Sequence, residues 1–499
     1  MRTRVSVLAA FLLVLAAAVA PGAAQADDVG AEVPWAGGLG KTNISKMSVA
    51  PTQQAAAAPG VSGMQLVGNS DKDGTTNSDL AFWGDLAYAG NYGGFRILDI
   101  KRDQPRVLVD FPCNGAQSDP TVWDTGKRRL LFQSVDSQQT TDDCSSRNTP
   151  LVSPGVREPG FEGIRIFDVT NPRSPRFIDG VQTDCGSHTN TLIPDAKNKR
   201  VAIYVSSYPL GSGIGPDCQP PHKKISILDV PYDVGSASDV EVKEQPLSTD
   251  TAPSPTGGFQ GCHDITAILP TDSAVGACAG DGQVWDISDP FNPTTTDADE
   301  GEHTHIRPGG GDTFEFVHTS IVSPDLERFV LTDETGGGGA PTCNGAATTD
   351  GFYYYYDIVE PGEPAPALRS RYTIPRPQSP EICVSHNGNF IPVKGRNLMA
   401  AANYQGGTTV VDWDASGGPQ EIAFADQEDQ TGLEDAWSSY FYRDRIFVNG
   451  GLNRRGATGN RGLDVYRLTD RSLTKGAAKL RRLNPQTVER RVGRGGDDD

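Results

Sequence analysis

One short alternation of apolar and polar residues recurs along the chain and predicts its secondary structure. Most copies begin with glycine or an aromatic residue, alternate with a period of two, and contain an aspartate followed by an apolar residue. A period of two that is rich in Ile, Val, Tyr and Phe is typical of a half-buried β-strand. The seven copies are residues 93–100, 163–172, 224–231, 282–293, 352–361, 407–414 and a degenerate copy at 462–470.

The aspartate of each clear copy predicts the end of its strand. An aspartate with proline or glycine behind it favours a turn, because its side chain accepts hydrogen bonds from the backbone just beyond it. Successive aspartates are 55 to 71 residues apart, which exceeds the propeller repeats of about 40–50 residues. Insertions rich in Gly, Ser and Thr account for the excess. The six aspartates are Asp99, Asp168, Asp229, Asp286, Asp357 and Asp412.

Further strands flank each copy. A strand, a tight turn and a second strand precede it, as in residues 191–205 and 320–332, and an outer strand follows it, as in residues 176–181. Four antiparallel strands in each of seven units predict an all-β fold, a seven-bladed β-propeller with four-stranded antiparallel blades. The lone strand at residues 64–67 is expected to complete the seventh blade and so to close the ring.

The extent of the repeat sets the predicted domain organisation. The propeller is expected to span residues 63–470. Residues 27–62 are predicted to form a flexible linker, because residues 55–60 are rich in Ala, Gly and Pro. Residues 471–499 are predicted to form a basic, disordered tail that ends in three aspartates.

The first 26 residues have the pattern of a signal peptide. Arg2 and Arg4 precede a short apolar run at residues 5–19, and a small-x-small cleavage site lies at residues 24–26. The run is shorter than the ~20 residues that a membrane span requires. We therefore expect a secreted, extracellular protein without stable membrane insertion, with cell-wall association through the tail as an alternative.

Charge excludes one class of partner. Removing Arg2 and Arg4 with the signal peptide changes the formal net charge from -19 to -21. Such an acidic surface repels nucleic acid. The expected partner is an extracellular protein, a polysaccharide or a small molecule, and the chain is expected to be a monomer.

The eight cysteines predict disulfides. None forms a C-x-x-C pair, so a structural zinc site is not indicated. An oxidising compartment favours disulfides, and eight cysteines allow 105 pairings. The repeat favours pairs that are close in sequence, namely Cys113–Cys144, Cys185–Cys218, Cys262–Cys278 and Cys343–Cys383.

The repeat copies resemble those of the LVIVD-repeat family of bacterial secreted β-propellers. Residues 163–172 and 282–293 match best, and the resemblance extends over nearly all of residues 63–470. It implies the propeller fold. It implies little about chemistry, because propellers host many functions.

Four of the seven histidines occupy one position of the repeat, the start of the innermost strand of a unit. Equivalent positions in successive blades converge on the mouth of the central channel. Neutral imidazole is a good ligand for copper, zinc and iron, so a metal site is one hypothesis. The histidines are His188, His263, His318 and His386, and the matching stretches of other units contribute Asp119 and Glu434 as weaker candidates.

Other interpretations of the histidines remain open at this stage. Each could instead bond the backbone of the next blade. The H-x-H pair His303 and His305 lies in an acidic loop that could reach the same face or be solvated, and His222 is predicted on a loop surface.

The sequence is compatible with three functions. One is a binding or scaffold protein that acts through its top-face loops, with or without a metal. The second is an extracellular metalloenzyme, redox or hydrolytic, that uses the histidine ring. The third is a lyase or hydrolase that uses the acidic residues without a metal.

Overall fold

The computed structural model describes most of the predicted propeller. The described residues are 60–72, 74–153, 156–209, 218, 220–248, 250–255, 260–295, 303–308, 314–334, 351–376, 383–426, 428–429, 432–433, 436–450 and 462–492. The predicted signal peptide, almost all of the predicted linker, Cys343, and Glu434 lie outside them.

The all-β prediction is confirmed. Strands and short 3-10 turns, such as Ala237–Asp239 and Leu269–Thr271, form the regular structure of the described residues, which contain no α-helix. Nothing among them is a helix long and apolar enough to cross a membrane.

The first three sheets are antiparallel, and consecutive strands are neighbours within each sheet. Sheet 1 contains β3 (Asn77–Trp83), β4 (Leu86–Asn91), β5 (Gly94–Asp99) and β6 (Arg106–Pro112). Sheet 2 contains β7 (Pro120–Asp124), β8 (Arg129–Gln139), β11 (Phe161–Asp168) and β12 (Arg176–Gln182), with a small hairpin of β9 (Leu151–Ser153) and β10 (Val156–Arg157) inserted. Sheet 3 contains β13 (Thr189–Asp195), β14 (Arg200–Ser206), β15 (Lys224–Pro231) and β16 (Glu241–Pro246).

The remaining sheets continue the pattern. Sheet 4 contains β17 (Asp264–Ile268), β18 (Ser273–Cys278), β19 (Asp281–Asp286) and β20 (His303–Ile306). Sheet 5 contains β21 (Val317–Val322), β22 (Arg328–Asp333), β23 (Tyr353–Asp357) and β24 (Leu368–Tyr372). Sheet 6 has nine strands: β1 (Gly60–Ser62), β28 (Gln420–Asp426), β27 (Thr408–Asp412), β26 (Leu398–Ala402), β25 (Asn387–Phe390), β31 (Ala436–Tyr442), β32 (Arg445–Gly450), β33 (Gly462–Leu468) and β2 (Met64–Asp71). A separate hairpin joins β29 (Glu428–Asp429) and β30 (Gly432–Leu433).

The repeat copies form the third strand of each unit, and the aspartate has the role that its position predicts. In β5, the Asp99 carboxylate accepts a hydrogen bond of 3.0 Å from the backbone N–H of Lys101, which forms the turn. Arg106, on the neighbouring strand, donates a second bond of 2.8 Å to the same carboxylate. These bonds, the Arg106 bond above all, hold the pKa of Asp99 below its usual value.

Apolar side chains fill the space between successive sheets. Between sheets 2 and 3, for example, Phe132 and Ile166 pack against Ile203 and Leu228. Each of these side chains is buried, and burying one aliphatic or aromatic side chain stabilises the fold by about 1.5–3 kcal/mol. The first strands of the sheets also pack on one another in chain order: β3 on β7, β7 on β13, β13 on β17, β17 on β21 and β21 on β25. Face-to-face sheets around their innermost strands form a β-propeller.

The disulfides follow the predicted pairing of neighbours where they are described. Cys113–Cys144, Cys185–Cys218 and Cys262–Cys278 are confirmed. Cys383 is disulfide-bonded, and its predicted partner Cys343 lies beyond the described residues. Three disulfides are consistent with an extracellular protein.

The chain beyond the propeller differs from the predicted disordered tail as far as residue 492. It crosses the ends of the innermost strands and adds β34 (Arg482–Leu483) to β3 and β35 (Thr487–Val488), in parallel, to β17. We call residues 480–492 the strap. Its Thr487 hydroxyl donates to the carbonyl of Leu192 at 2.7 Å, and Gln486 is buried. Charge patterning did not predict these contacts, because they depend on backbone groups of innermost strands that come together only in the folded protein, such as Val122 of β7 and Leu192 of β13.

Replacing Asn484 by alanine is expected to destabilise the protein by about 2 kcal/mol. The Asn484 side chain accepts from Val122 N at 2.9 Å and donates to Val122 O at 3.0 Å. Its loss leaves two buried backbone groups unpaired, each costing about 1–3 kcal/mol before relaxation. Chemical denaturation of the wild type and the variant measures the difference. Lys479→Ala, at an exposed neighbouring position, is the control and should change stability by less than about 0.5 kcal/mol.

Candidate metal centre

Four histidines form a continuous row at one end of the innermost strands. The ring centroids of His188 and His263 are 4.5 Å apart, those of His263 and His318 3.6 Å, and those of His318 and His386 4.1 Å. All four histidine residues are at most 3 % exposed. The fold thus brings together every histidine that the repeat position singled out.

The local backbone explains the shared position. His188 N donates to Ser206 O at 2.9 Å, His263 N to Ala277 O at 2.8 Å, and His386 N to Ala402 O at 3.1 Å. In each case the acceptor belongs to the second strand of the same unit. Each of these histidines is therefore fixed where its hairpin opens, with its ring in the channel. His318 is the second residue of β21, where the register with β22 shifts between Val317 and Ser320.

A carboxylate orients the first histidine of the row. His188 Nδ1 lies 2.7 Å from Asp136 Oδ2. A carboxylate oxygen that accepts at this distance favours a proton on Nδ1. The Nε2 atom is buried and has no hydrogen-bond partner. A carboxylate behind a histidine is the usual way to fix the tautomer of a metal ligand.

Glu334 lies between the last two histidines. Its Oε2 is 3.7 Å from His318 Nε2 and its Oε1 is 3.6 Å from His386 Nε2. The Tyr404 hydroxyl donates to Glu334 Oε1, and His386 Nδ1 donates to the carbonyl of Trp437. Because that carbonyl only accepts, His386 carries its first proton on Nδ1 and turns Nε2 toward the carboxylate.

A second acidic group lies at the middle of the row. His263 Nδ1 is 3.4 Å from Asp264 Oδ1, and both atoms are without a hydrogen bond. Thr319 Oγ1 connects this group to His318, since it lies 2.7 Å from His318 Nδ1 and 2.7 Å from Asp264 Oδ2.

The central histidines are held neutral. Burial, followed by repulsion from His188, lowers the pKa of His263 to about 4. Burial and the neighbouring His263 and His386 lower the pKa of His318 well below its usual value. Neutral imidazoles keep a lone pair at pH 7, which is the form that binds metals.

Two groups of three side chains have spacing suited to a metal ion. The ligand atoms of His263, Asp264 and His318, and those of His318, Glu334 and His386, lie within 4.8 Å of one another in each group. Metal–nitrogen and metal–oxygen bonds of about 2.0–2.2 Å place tetrahedral ligands roughly 3.4 Å apart, close to the separations around Glu334. A third group includes Cys185, but its sulfur is in the disulfide with Cys218.

Aromatic side chains surround both ends of the row. The Tyr208 ring lies 5.0 Å from that of His188, and Phe316 lies 5.6 Å from His263. At the other end, Tyr404 lies 4.5 Å from His386 and Trp437 lies 5.1 Å from it. All four aromatic residues are buried. An apolar shell of this kind restricts water and lowers the local dielectric.

The other candidate residues lie elsewhere. Glu434 falls outside the described residues. His305 is in β20, paired with β19, and contacts Asp281, so this part of the acidic segment is an outer strand and not a loop. The side chain of His303 is not described. His222 was predicted on the surface; this is wrong, because it is 6 % exposed and its Nε2 lies 3.1 Å from Ser207 Oγ.

Sequence reasoning missed three carboxylates of the site. Asp136 lies within β8, the second strand of its unit, Glu334 directly follows β22, the second strand of its own unit, and Asp264 directly follows His263. An acidic residue late in a second strand or just after it was the available signal.

Asp119 belongs to a deeper layer of the channel with Asp79. The Asn190 N–H donates to Asp119 Oδ2 at 2.8 Å, and Asn387 Nδ2 donates to Asp79 Oδ2 at 3.1 Å. Burial, followed by the charge of Asp79, raises the pKa of Asp119 well above its usual value. Burial raises the pKa of Asp79 to about 7.

Replacing Asp79 by asparagine is expected to remove a pH dependence of stability. Because the folded-state pKa of about 7 exceeds the unfolded value of 3.8, ionisation of Asp79 destabilises the fold as the pH rises from about 4 to about 7. Between pH 4 and pH 8, the free energy of unfolding of the wild type should fall by up to about 4 kcal/mol relative to that of Asp79→Asn. Urea unfolding of both proteins at the two pH values measures this, and an equal difference at both would contradict it.

Comparisons with known proteins find distant likeness only. No protein-family model and no curated protein matches the chain. A putative 6-phosphogluconolactonase from Bacteroides fragilis has 10% sequence identity and a TM-score of 0.42, with 78% of this chain and 94% of that chain covered. The periplasmic gluconolactonase PpgL of Pseudomonas aeruginosa has 13% sequence identity and a TM-score of 0.45, and the match covers 79% of this chain and 100% of that chain. The Cps50 (Swd1) β-propeller domain of Myceliophteria thermophila has 10% sequence identity and a TM-score of 0.47, and the match covers 82% of this chain and 99% of that chain.

Proposed function

We propose that the chain is an exported, closed, seven-bladed β-propeller that binds a transition-metal ion at the histidine row. The observation that carries the metal site is the position of Glu334, with one oxygen 3.7 Å from His318 Nε2 and the other 3.6 Å from His386 Nε2.

Strand pairing supports seven closed blades. Apart from β1, which pairs with β28, the nine-stranded sheet divides into two four-stranded units, β25–β28 and β31–β33 with β2, joined by parallel pairing of β25 with β31. The N-terminal β2 pairs with β33 in the last unit, as the lone strand at residues 64–67 predicts. The first strand of that unit, β31, also contacts β3 of sheet 1. An apolar cluster that includes Phe82, Tyr442 and Phe447 fills this last interface.

The hydrogen-bonding state of the histidines supports a cation. In its neutral form, His386 directs an Nε2 lone pair at a carboxylate, because Nδ1 already donates to Trp437 O. A lone pair facing an anion in a buried site is unfavourable unless a cation lies between them. His318 is held neutral beside the same carboxylate. A metal ion satisfies both histidines and Glu334 together.

The donor set indicates the kind of metal. Two histidines and one carboxylate suit zinc, copper or iron, and the same set with open positions holds iron in oxygenases. Such an ion polarises a bound substrate or activates a bound water. The chain's own residues would orient the ligands through Asp136, Tyr404 and the Trp437 carbonyl, and the aromatic shell would limit water. A metalloenzyme is therefore the activity that this geometry favours.

The remaining sequence predictions are proposed on the sequence itself. Secretion follows from residues 1–26, and membership of the LVIVD-repeat family from the repeat copies. Binding of an extracellular partner is proposed for the top-face loops, as the sequence predicts.

Metal binding is expected to depend strongly on His386 and more weakly on Tyr404. Protein stripped with a chelator should bind at least one Zn²⁺ or Cu²⁺ per chain. His386→Ala should abolish tight binding of the ion beside Glu334, and Tyr404→Phe, which removes only the hydroxyl on Glu334, should weaken it about 10–100-fold. Calorimetric titration and elemental analysis measure both effects.

His305→Gln is the matched control, since this histidine lies on an outer strand away from the row. It should bind metal as the wild type does. Wild-type protein that binds neither ion, or equal binding by wild type and His386→Ala, would refute the proposed site.

Processing is expected to begin the mature chain at Asp27, directly after the predicted cleavage site. Expression of the full chain with its own leader, followed by intact-mass measurement of the protein in the medium, tests this. Retention of Met1 in cell-associated protein would contradict export by cleavage.

A further inference from the structure

One histidine belongs to both candidate ligand groups. His318 shares a group with His263 and Asp264, and another with Glu334 and His386. Its two nitrogens point to different neighbours, because Nδ1 lies 2.7 Å from Thr319 Oγ1 and Nε2 lies 3.7 Å from Glu334 Oε2. The same Thr319 hydroxyl lies 2.7 Å from Asp264 Oδ2. The Nδ1 edge of the ring therefore faces the Asp264 group, and the Nε2 edge faces the Glu334 group.

The Asp264 side of the row contains buried polar atoms without a hydrogen bond. His188 Nε2, His263 Nδ1 and Asp264 Oδ1 form none, and the last two face each other at 3.4 Å. Each belongs to a residue that is at most 3 % exposed. Burying such atoms without a hydrogen bond is unfavourable, and more so for a charged group. An imidazole nitrogen and a carboxylate oxygen that face each other at this spacing suit a shared cation with nitrogen and oxygen ligands.

We propose that the row binds two transition-metal ions, one on each side of His318, with the His318 ring as the bridge between them. This rests on the proposed metal-binding function and extends it from one ion to two. The first ion is bound by His263, Asp264 and His318 Nδ1. The second is bound by His318 Nε2, Glu334 and His386. His188, whose ring adjoins His263, is directed toward the first ion by Asp136.

The charges suit a pair of divalent ions. A neutral imidazole that binds metals through both nitrogens must release its remaining ring proton to solvent and become an imidazolate. With the carboxylates of Asp264 and Glu334, it supplies three negative charges against the four positive charges of the ions. Bonds of about 2 Å from each nitrogen place the ions roughly 6 Å apart across the ring. The Thr319 hydroxyl, which lies 2.7 Å from both Asp264 Oδ2 and Asn387 Oδ1, then donates its single proton to one of these oxygens and no longer bonds His318 Nδ1.

Copper(II) titration of chelator-treated, full-length mature protein tests the pair. Native mass spectrometry should show two Cu²⁺ ions per chain. The electron paramagnetic resonance signal should be largely lost at two equivalents, because an imidazolate bridge couples the two unpaired electrons. Asp264→Asn, which keeps the shape of the side chain, and His263→Ala should each bind one Cu²⁺ and show a full single-ion signal.

Glu334→Gln provides the reciprocal control and should also bind one Cu²⁺ with a full signal. Circular dichroism and the thermal midpoint of each variant establish that it is folded. One Cu²⁺ in the wild type, unaffected by Asp264→Asn, overturns the second ion and leaves the proposed function standing. No bound Cu²⁺ or Zn²⁺ in the wild type overturns both. Two ions with uncoupled signals overturn the bridging role of His318.

Discussion

The packing of each sheet against the next, along the innermost strands, is the interaction on which the rest of the structure depends. Apolar side chains from both faces fill each interface, as Phe132 and Ile203 do between sheets 2 and 3. This burial is not directional, so the twist of the sheets and their common inner edge determine where the strands converge. Equivalent residues of separate repeat units, which are far apart in sequence, consequently lie close together at one end of the central channel.

Convergence of polar strand ends has an electrostatic consequence. Burial holds His263 and His318 neutral and raises the pKa of Asp79 to about 7. Lone pairs and carboxylates therefore face each other where water is scarce, and protons or metal ions must balance them. The proposed metal centre and the pH-dependent stability of the channel are two results of the same crowding.

The strap limits this channel at the end away from the histidines. It pairs with β3 and β17 and bonds the backbone of Val122 and Leu192. Backbone groups of innermost strands are thereby satisfied by one segment from outside the repeat. At the histidine end, the buried rings of Tyr208, Phe316, Tyr404 and Trp437 surround the row instead.

The sequence alone determined the all-β class, the position of the repeat strands, the three described disulfide pairs, and the four histidines, because each depends on local periodicity or on a repeated position. It did not identify Asp136, Asp264 and Glu334 as their partners, and it treated residues 471–492 as a tail. Only the tertiary structure decided these points. Which carboxylate faces which imidazole depends on how neighbouring units are rotated and spaced, and the binding of the strap depends on unpaired backbone groups that exist only after the sheets have assembled.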